Sequence, residues 1–182
     1  PGLDWVKITD EKGAENLNRF GFRKGDLCIA DRAYALLSNL VAVIAQQAWF
    51  IVRIGWFRQP GLRLADGQAM DIIAWLKHSA WRAQGEPFEQ SVWLPNQDAA
   101  FRLVARAIPE QAAEEVRRRL RKEATKKGRT IDERSLIAAG FVLLLTNLPT
   151  SSYPALQILE LYRFRWQIEL YFKRLKSLTG LD

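Results

Sequence analysis

Cysteine, histidine and methionine each occur once in the 182 residues. The single cysteine, Cys28, excludes a disulfide framework and fits a reducing compartment. It lies in the apolar run DLCIAD, which favours a small buried side chain over a reactive thiol. With one histidine, His78, and one distant cysteine, the ligand set that a zinc site needs is lacking. The composition therefore argues against disulfide-stapled folds and zinc proteins.

Long apolar runs are also lacking. The richest apolar region, residues 35–57, is interrupted by polar side chains and does not predict a membrane span. The first ten residues, PGLDWVKITD, do not have the pattern of a signal peptide. With 48% hydrophobic and 26% charged residues, the composition is typical of one soluble globular domain that carries an insertion.

Acidic residues are fewer than basic ones. There are 20 Asp and Glu against 27 Lys and Arg, which gives a formal net charge of +7 and a pI near 9.8. This balance is typical of proteins with a polyanionic partner, although it does not identify one. The densest basic block, residues 117–129, fits either a solvated helix face or a track for DNA phosphates.

The first part of the chain, residues 1–56, predicts a βαβ pattern. After a short strand near Val6 come the buried strand GDLCIAD, the helix RAYALLSNLVAVIAQQ and the buried strand WFIVRIGWF. Two strands joined by such a helix predict a parallel or mixed sheet with a right-handed crossover.

The middle part, residues 57–139, is punctuated by proline and glycine. It predicts a hairpin, EQSVWLP and AFRLVARAIP, and then a charged helix that Pro109 opens and Gly128 ends. The last part, residues 140–182, predicts a buried strand, GFVLLLTNLP, and a helix that begins near Ser152. The three parts together predict an α/β fold.

The last helix, LYRFRWQIELYFKRLKS, collects charged side chains and a tyrosine along one side. At about 100° per residue, five of them fall in a stripe roughly 80° wide. They are Tyr162, Arg165, Glu169, Lys173 and Lys176. Ion pairs four residues apart on a solvated face are one interpretation, but the flanking sequence is unusually aromatic.

The same helix has an apolar repeat that predicts its buried face. Leu161, Phe164, Ile168 and Phe172 recur at helical spacing. The charged stripe should therefore lie beside the buried face and not opposite to it.

Asp31 closes the apolar strand LCIA and precedes a helix. Open α/β sheets place their functional sites at the carboxyl ends of strands, but an aspartate here is also a common helix cap. Carboxylates brought together from a strand end and a helix would suit Mg²⁺, with nearby cations holding phosphates. That is the arrangement of two-metal phosphoryl transfer.

The spacing of Tyr162, Arg165, Glu169 and Lys176 resembles the Y-R-E-K signature of DDE transposases of the insertion-sequence-four superfamily. Lys173 matches a further basic position often found in that helix. GDLCIADRAY resembles the segment around the second catalytic aspartate of the family, and FVLLLTNLP resembles the strand that leads back from its insertion domain. The three motifs occur in the family's order and cover nearly the whole chain.

The resemblance implies a ribonuclease-H-like mixed sheet, formed by residues 1–56 and 140–182 and interrupted by an α+β insertion, residues 57–139. It implies catalytic, metal-binding roles for Asp31 and Glu169, with Mg²⁺ or Mn²⁺ as cofactor. It also implies DNA contacts for the remaining signature residues: Tyr162, Arg165, Lys173 and Lys176.

The implied activity is cut-and-paste DNA transposition, with strand hydrolysis and joining at transposon ends. Its partners would be transposon-end DNA, target DNA and a second copy of the chain in a synaptic complex, in the bacterial cytoplasm at the nucleoid. A non-catalytic DNA-binding or dimerisation fragment that inhibits a full-length transposase is the alternative.

The family's first catalytic aspartate has no match in the chain. Asp4 and Asp10 precede Asp31, but neither ends an apolar strand, and TDEKG around Asp10 has the composition of a turn. We therefore expect the first core strands to be missing, in an excised fragment or a truncated gene product, and the chain alone to be catalytically incomplete.

Overall fold

The computed structural model describes residues 16–57 and 59–179. The side chains of Glu169, Lys173 and Lys176 are among those in the last helix that lie outside this description. The predicted strand near Val6 also lies outside the described residues.

Within the described residues, five strands form one sheet: β1 Leu27–Ala30, β2 Trp49–Arg53, β3 Phe88–Trp93, β4 Ala100–Ala107 and β5 Phe141–Thr146. Their order is β1-β2-β5-β4-β3, and β1 and β2 run parallel while the other neighbours are antiparallel. This mixed sheet confirms the predicted α/β fold class and is consistent with a ribonuclease-H-like core. The hairpin of β3 and β4 joins the sheet at β5, and the division into a core and an insertion stays a prediction.

The described residues form five α-helices: α1 Leu37–Ala45, α2 Ile72–Ala83, α3 Glu110–Lys126, α4 Glu133–Ala138 and α5 Ala155–Thr179. The helix predicted to follow Asp31 is divided, because a 3-10 turn, Arg32–Tyr34, precedes α1. Among the described residues, no helix is long and apolar enough to span a membrane.

Alternating side chains of the central strands point to opposite faces of the sheet, as strand geometry requires. On one face, Phe50 and Val52 of β2 pack in a core that includes Leu40 of α1 and Leu76 of α2. The other face has its own cluster, in which Ile51 of β2 packs with side chains of α5. The sheet is therefore covered by α1 and α2 on one side and by α5 on the other.

The face that α5 buries differs from the predicted one. Ile158, Leu159 and Tyr162 pack on the sheet, and Tyr162 is only 5% exposed. Phe164, predicted to be core, is 53% exposed, so that part of the prediction was wrong. Since aromatic residues occur around much of this helix, their spacing alone did not identify the stripe that meets the sheet. As a result, the signature stripe begins on the buried side of α5.

Candidate active site

Asp31 lies at the carboxyl end of β1 and is half-buried. Its Oδ1 accepts a hydrogen bond from the backbone N–H of Ala33 (2.9 Å), which caps the 3-10 turn. No other hydrogen bond to this carboxylate forms within the described ranges. Both interpretations of Asp31 are thus compatible, because the cap occupies one oxygen and leaves the second available to a ligand.

Tyr162 brings the signature helix to the same end of the sheet. Its hydroxyl is buried and has no hydrogen-bond partner of normal geometry among the residues described. Burial raises the pKa of Tyr162, the nearby charges of Arg165 and Arg53 and a hydrogen bond with Arg165 oppose this rise, and the charge of Asp31 adds to it. Because the pKa is raised, the phenol stays protonated at neutral pH and can act as a hydrogen-bond donor.

Arg165 and Asp31 line one cavity of about 340 Å³. The cavity walls also include Phe20, Phe22 and Tyr34. The Arg165 guanidinium carbon lies 5.4 Å from the centre of the Tyr162 ring. A carboxylate from one motif and a cation from another, far apart in the sequence, therefore meet at one cavity.

The remaining signature positions, Glu169, Lys173 and Lys176, lie on the C-terminal part of α5. Their side chains lie outside the described residues, so their part in the site stays a prediction. Within the described part of the chain, no group of three or more His, Cys, Asp or Glu side chains lies close enough to hold a metal ion.

Two arginines that the sequence motifs did not single out lie beside Asp31. Arg32 follows it directly, and Arg53 ends the neighbouring strand, β2. Partial burial and the charge of Arg53 lower the pKa of Arg32, while the charges of Tyr162 and Asp31 raise it. The sequence held one signal that could have identified Arg53. Like Asp31, it stands at the end of an apolar strand.

The loop that leads into α5 is fixed to the middle of the sheet by Arg102 of β4, which is only 8% exposed. Its Nη1 donates to the backbone oxygens of Leu148 (3.0 Å) and Tyr153 (2.8 Å). Its Nε donates to a carboxylate oxygen of Glu89 on β3 (3.2 Å). This arginine therefore sets where the signature helix begins.

A second set of contacts fixes the same loop to β2. The Thr146 hydroxyl donates to the backbone oxygen of Phe50 (2.6 Å) and accepts from the N–H of Leu148 (3.1 Å). Asn147 accepts from the N–H of Phe50 (2.8 Å) and donates to the backbone oxygen of Ala48 (3.0 Å). The loop is thus anchored to β2 as well as to β4.

The basic block on α3 is partly neutralised within the helix. Three of its arginines form ion pairs with glutamates three, four or seven residues away: Arg117 with Glu110 and Glu114, Arg119 with Glu115, and Arg121 with Glu114. These pairs favour a solvated helix face for that part of the block. A phosphate track on the rest stays a prediction.

Comparisons with known proteins agree on one family. A family model described as a transposase DDE domain matches residues 6–182. The transposase for insertion sequence element IS421 of Escherichia coli is 38% identical over 183 residues, which is 97% of this chain and 48% of the relative. The transposase for insertion sequence element IS231F of Bacillus thuringiensis subsp. israelensis is 28% identical over 192 residues, 93% of this chain and 40% of the relative. The chain spans about half the length of the curated relatives it matches.

Proposed function

Because the chain belongs to the DDE transposase family, whose model matches residues 6–182, we propose that the cavity between Asp31 and Arg165 belongs to the catalytic centre of an insertion-sequence transposase. In the whole protein this centre hydrolyses DNA strands at the ends of the element and joins them to target DNA.

The observation that carries the proposal is the meeting of Asp31, Tyr162 and Arg165 at one end of the sheet. Asp31 and Arg165 line the same cavity, and the charge of Asp31 acts on the buried Tyr162. If Asp31 only capped the turn that follows it, no buried phenol and no cation from α5, a helix far away in the sequence, would be needed beside it.

Asp31 fits a role as a ligand of Mg²⁺ or Mn²⁺, since hard divalent ions prefer carboxylate oxygens and its second oxygen is available. One carboxylate does not make a site, and we propose Glu169 as the second ligand on the α5 side. When bound, the ion would supply Lewis-acid activation of phosphoryl transfer.

The cations and the phenol act on the DNA strand itself. Arg165 offsets the negative charge of a phosphate at the strand end, and Lys173 and Lys176 extend this contact along α5. The Tyr162 hydroxyl donates a hydrogen bond to a phosphate oxygen. These contacts orient the strand end at Asp31, and orientation is a large part of what phosphoryl-transfer enzymes contribute.

The test compares Glu169→Gln and Arg165→Ala in a transposase of the relatives' length, using a labelled duplex that carries the element's terminal repeat. Glu169→Gln should abolish strand cleavage and leave end binding intact or tighter, because a negative charge near the phosphate is removed. Arg165→Ala should weaken binding and reduce its salt dependence by about one unit of slope. Normal cleavage by Glu169→Gln would refute the site assignment.

We further propose that this chain alone binds DNA without cleaving it efficiently, because Asp31 and Glu169 supply only two carboxylates. Incubation of the chain with end DNA and Mg²⁺ checks this. Robust cleavage would mean that a carboxylate near the N-terminus, Asp4 or Asp10, completes the ligand set.

A non-catalytic DNA-binding or dimerisation fragment that inhibits a full-length transposase is the second candidate. Adding the chain to a transposition assay with a full-length relative distinguishes it, since an inhibitor lowers the yield in proportion to the chain added.

A further inference from the structure

Arg32 and Arg53 lie side by side at the strand ends that carry Asp31. Ala30 of β1 pairs with Val52 of β2 in parallel register, so Asp31 and Arg53 are the next residues on adjacent strands. Neighbouring strands are about 4.8 Å apart. Arg32 follows at the start of the 3-10 turn.

Neither arginine forms an ion pair with another described residue. Within the described ranges, the arginine ion pairs involve other residues: Arg102, Arg117, Arg119, Arg121 and Arg134. Arg32 and Arg53 instead line a cavity of about 190 Å³, whose walls include Trp56 and Phe141. Two cations at one cavity repel each other, and a bound anion would relieve that repulsion.

A third donor lies close to the pair. The Tyr162 hydroxyl is buried without a hydrogen-bond partner of normal geometry in the described part of the chain, and the charge of Arg53 acts on it. An anion held by the arginines would accept a hydrogen bond from this hydroxyl. Three cations, Arg32, Arg53 and Arg165, lie near Asp31, and they outnumber its carboxylate even when Glu169 of the proposed function is added.

We propose that Arg32 and Arg53 form a phosphate-binding site at the sheet edge, completed by the Tyr162 hydroxyl, that holds a backbone phosphate of the DNA strand. The proposal rests on the proposed function and extends the phosphate contacts from α5 to β2. The bound strand would then be held on two sides of Asp31, by the sheet and by the signature helix.

The test measures binding of a short fluorescein-labelled DNA duplex to the chain over a series of salt concentrations. The variants are Arg53→Gln and Arg32→Gln, with Arg63→Gln as the control. Arg63 is exposed and pairs with Trp93 of β3, at the opposite edge of the sheet, and its replacement removes the same charge. Thermal unfolding of each variant checks that it folds.

Arg53→Gln and Arg32→Gln should each reduce the salt-dependence slope by about one unit, as expected for a lost phosphate contact. Arg63→Gln should change the slope by clearly less, and Arg53→Lys should keep most of the wild-type binding. If the wild-type chain binds the duplex but both site variants have the same salt-dependence slope as Arg63→Gln, this inference is overturned. The proposed function would still stand.

Experiments with inorganic phosphate distinguish a site for a DNA backbone phosphate from a site for free phosphate. Competition by millimolar phosphate against the duplex in the wild type, but not in Arg53→Gln, supports the site. A wild-type chain that binds no duplex would count against the proposed function. If phosphate still raised its melting temperature, and Arg53→Gln abolished that rise, the site would belong to free phosphate and the DNA assignment would be overturned.

Discussion

Replacing Arg102 by methionine should destabilise the chain more than any exposed arginine replacement. Methionine fills much of the space of the arginine stem but donates no hydrogen bond, so the backbone oxygens of Leu148 and Tyr153 lose their donor. Breaking a buried ion pair by removing one partner costs about 3–5 kcal/mol. Because the Glu89 side chain is 31% exposed, water compensates part of its lost pairing, and we expect about 3 kcal/mol.

Urea unfolding followed by circular dichroism measures this loss. The matched control is Arg119→Met, which removes an exposed arginine that pairs with Glu115 on α3 and should leave the unfolding midpoint nearly unchanged. Glu89→Gln should fall between the two, since the amide oxygen still accepts from Arg102 while the charge is lost. An Arg102→Met midpoint equal to that of Arg119→Met would refute the view that this arginine anchors the loop before α5.

Two further predictions concern buried groups near the sheet. Burial raises the pKa of the Cys28 thiol from 9.0 to about 11, so folding stability should fall as the pH rises through this window. Cys28→Ala should lose that decline, and unfolding curves at pH 8 to 11 show whether it does. Thr146→Val should cost about 1–3 kcal/mol, because its buried hydroxyl joins β2 to the loop before α5. Thr150→Val, at an exposed position in that loop, should have little effect, and equal unfolding midpoints for the two would contradict the prediction.

Strands β1, β2 and β5 were predictable because each is a short apolar run ended by a polar or turn residue. The run LCIA ends at Asp31 and WFIVR ends at Arg53, and both patterns place the strand in a buried sheet. Two pairings were predicted and are confirmed, the parallel pair β1 and β2 and the hairpin of β3 and β4. The other neighbours were not readable in the same way. The pairing of β2 with β5 joins segments about ninety residues apart, and local pattern carries no signal of such long-range contacts.

The helices show where local signals fail. The stretch after Asp31 has helical composition, yet its first residues form a 3-10 turn capped by the Asp31 side chain. The short helices α2 and α4 were not predicted, although Asp71 and Asp132 cap them.

Part of the candidate site could be predicted from the sequence. The spacing on α5 identified Tyr162 and Arg165, and the end of an apolar strand identified Asp31. Arg53 was missed because it belongs to no linear motif, and Arg32 because its place within GDLCIADRAY gave no sign of its role. Their importance depends on the parallel register of β1 and β2, which only the folded chain shows.

The pairing of β4 with β5 has a consequence for attempts to exchange parts between related transposases. Residues 57–139 supply two of the five strands, and β4 contributes Arg102 to the loop that starts α5. Excising this segment would expose the backbone edge of β5, and unpaired strand edges promote association between chains. A chimera that imports the segment from a relative must therefore also match its register on β5 and keep a donor for the carbonyl groups of Leu148 and Tyr153. Within this family the segment should behave as an inherited part of the sheet and not as a transferable cassette.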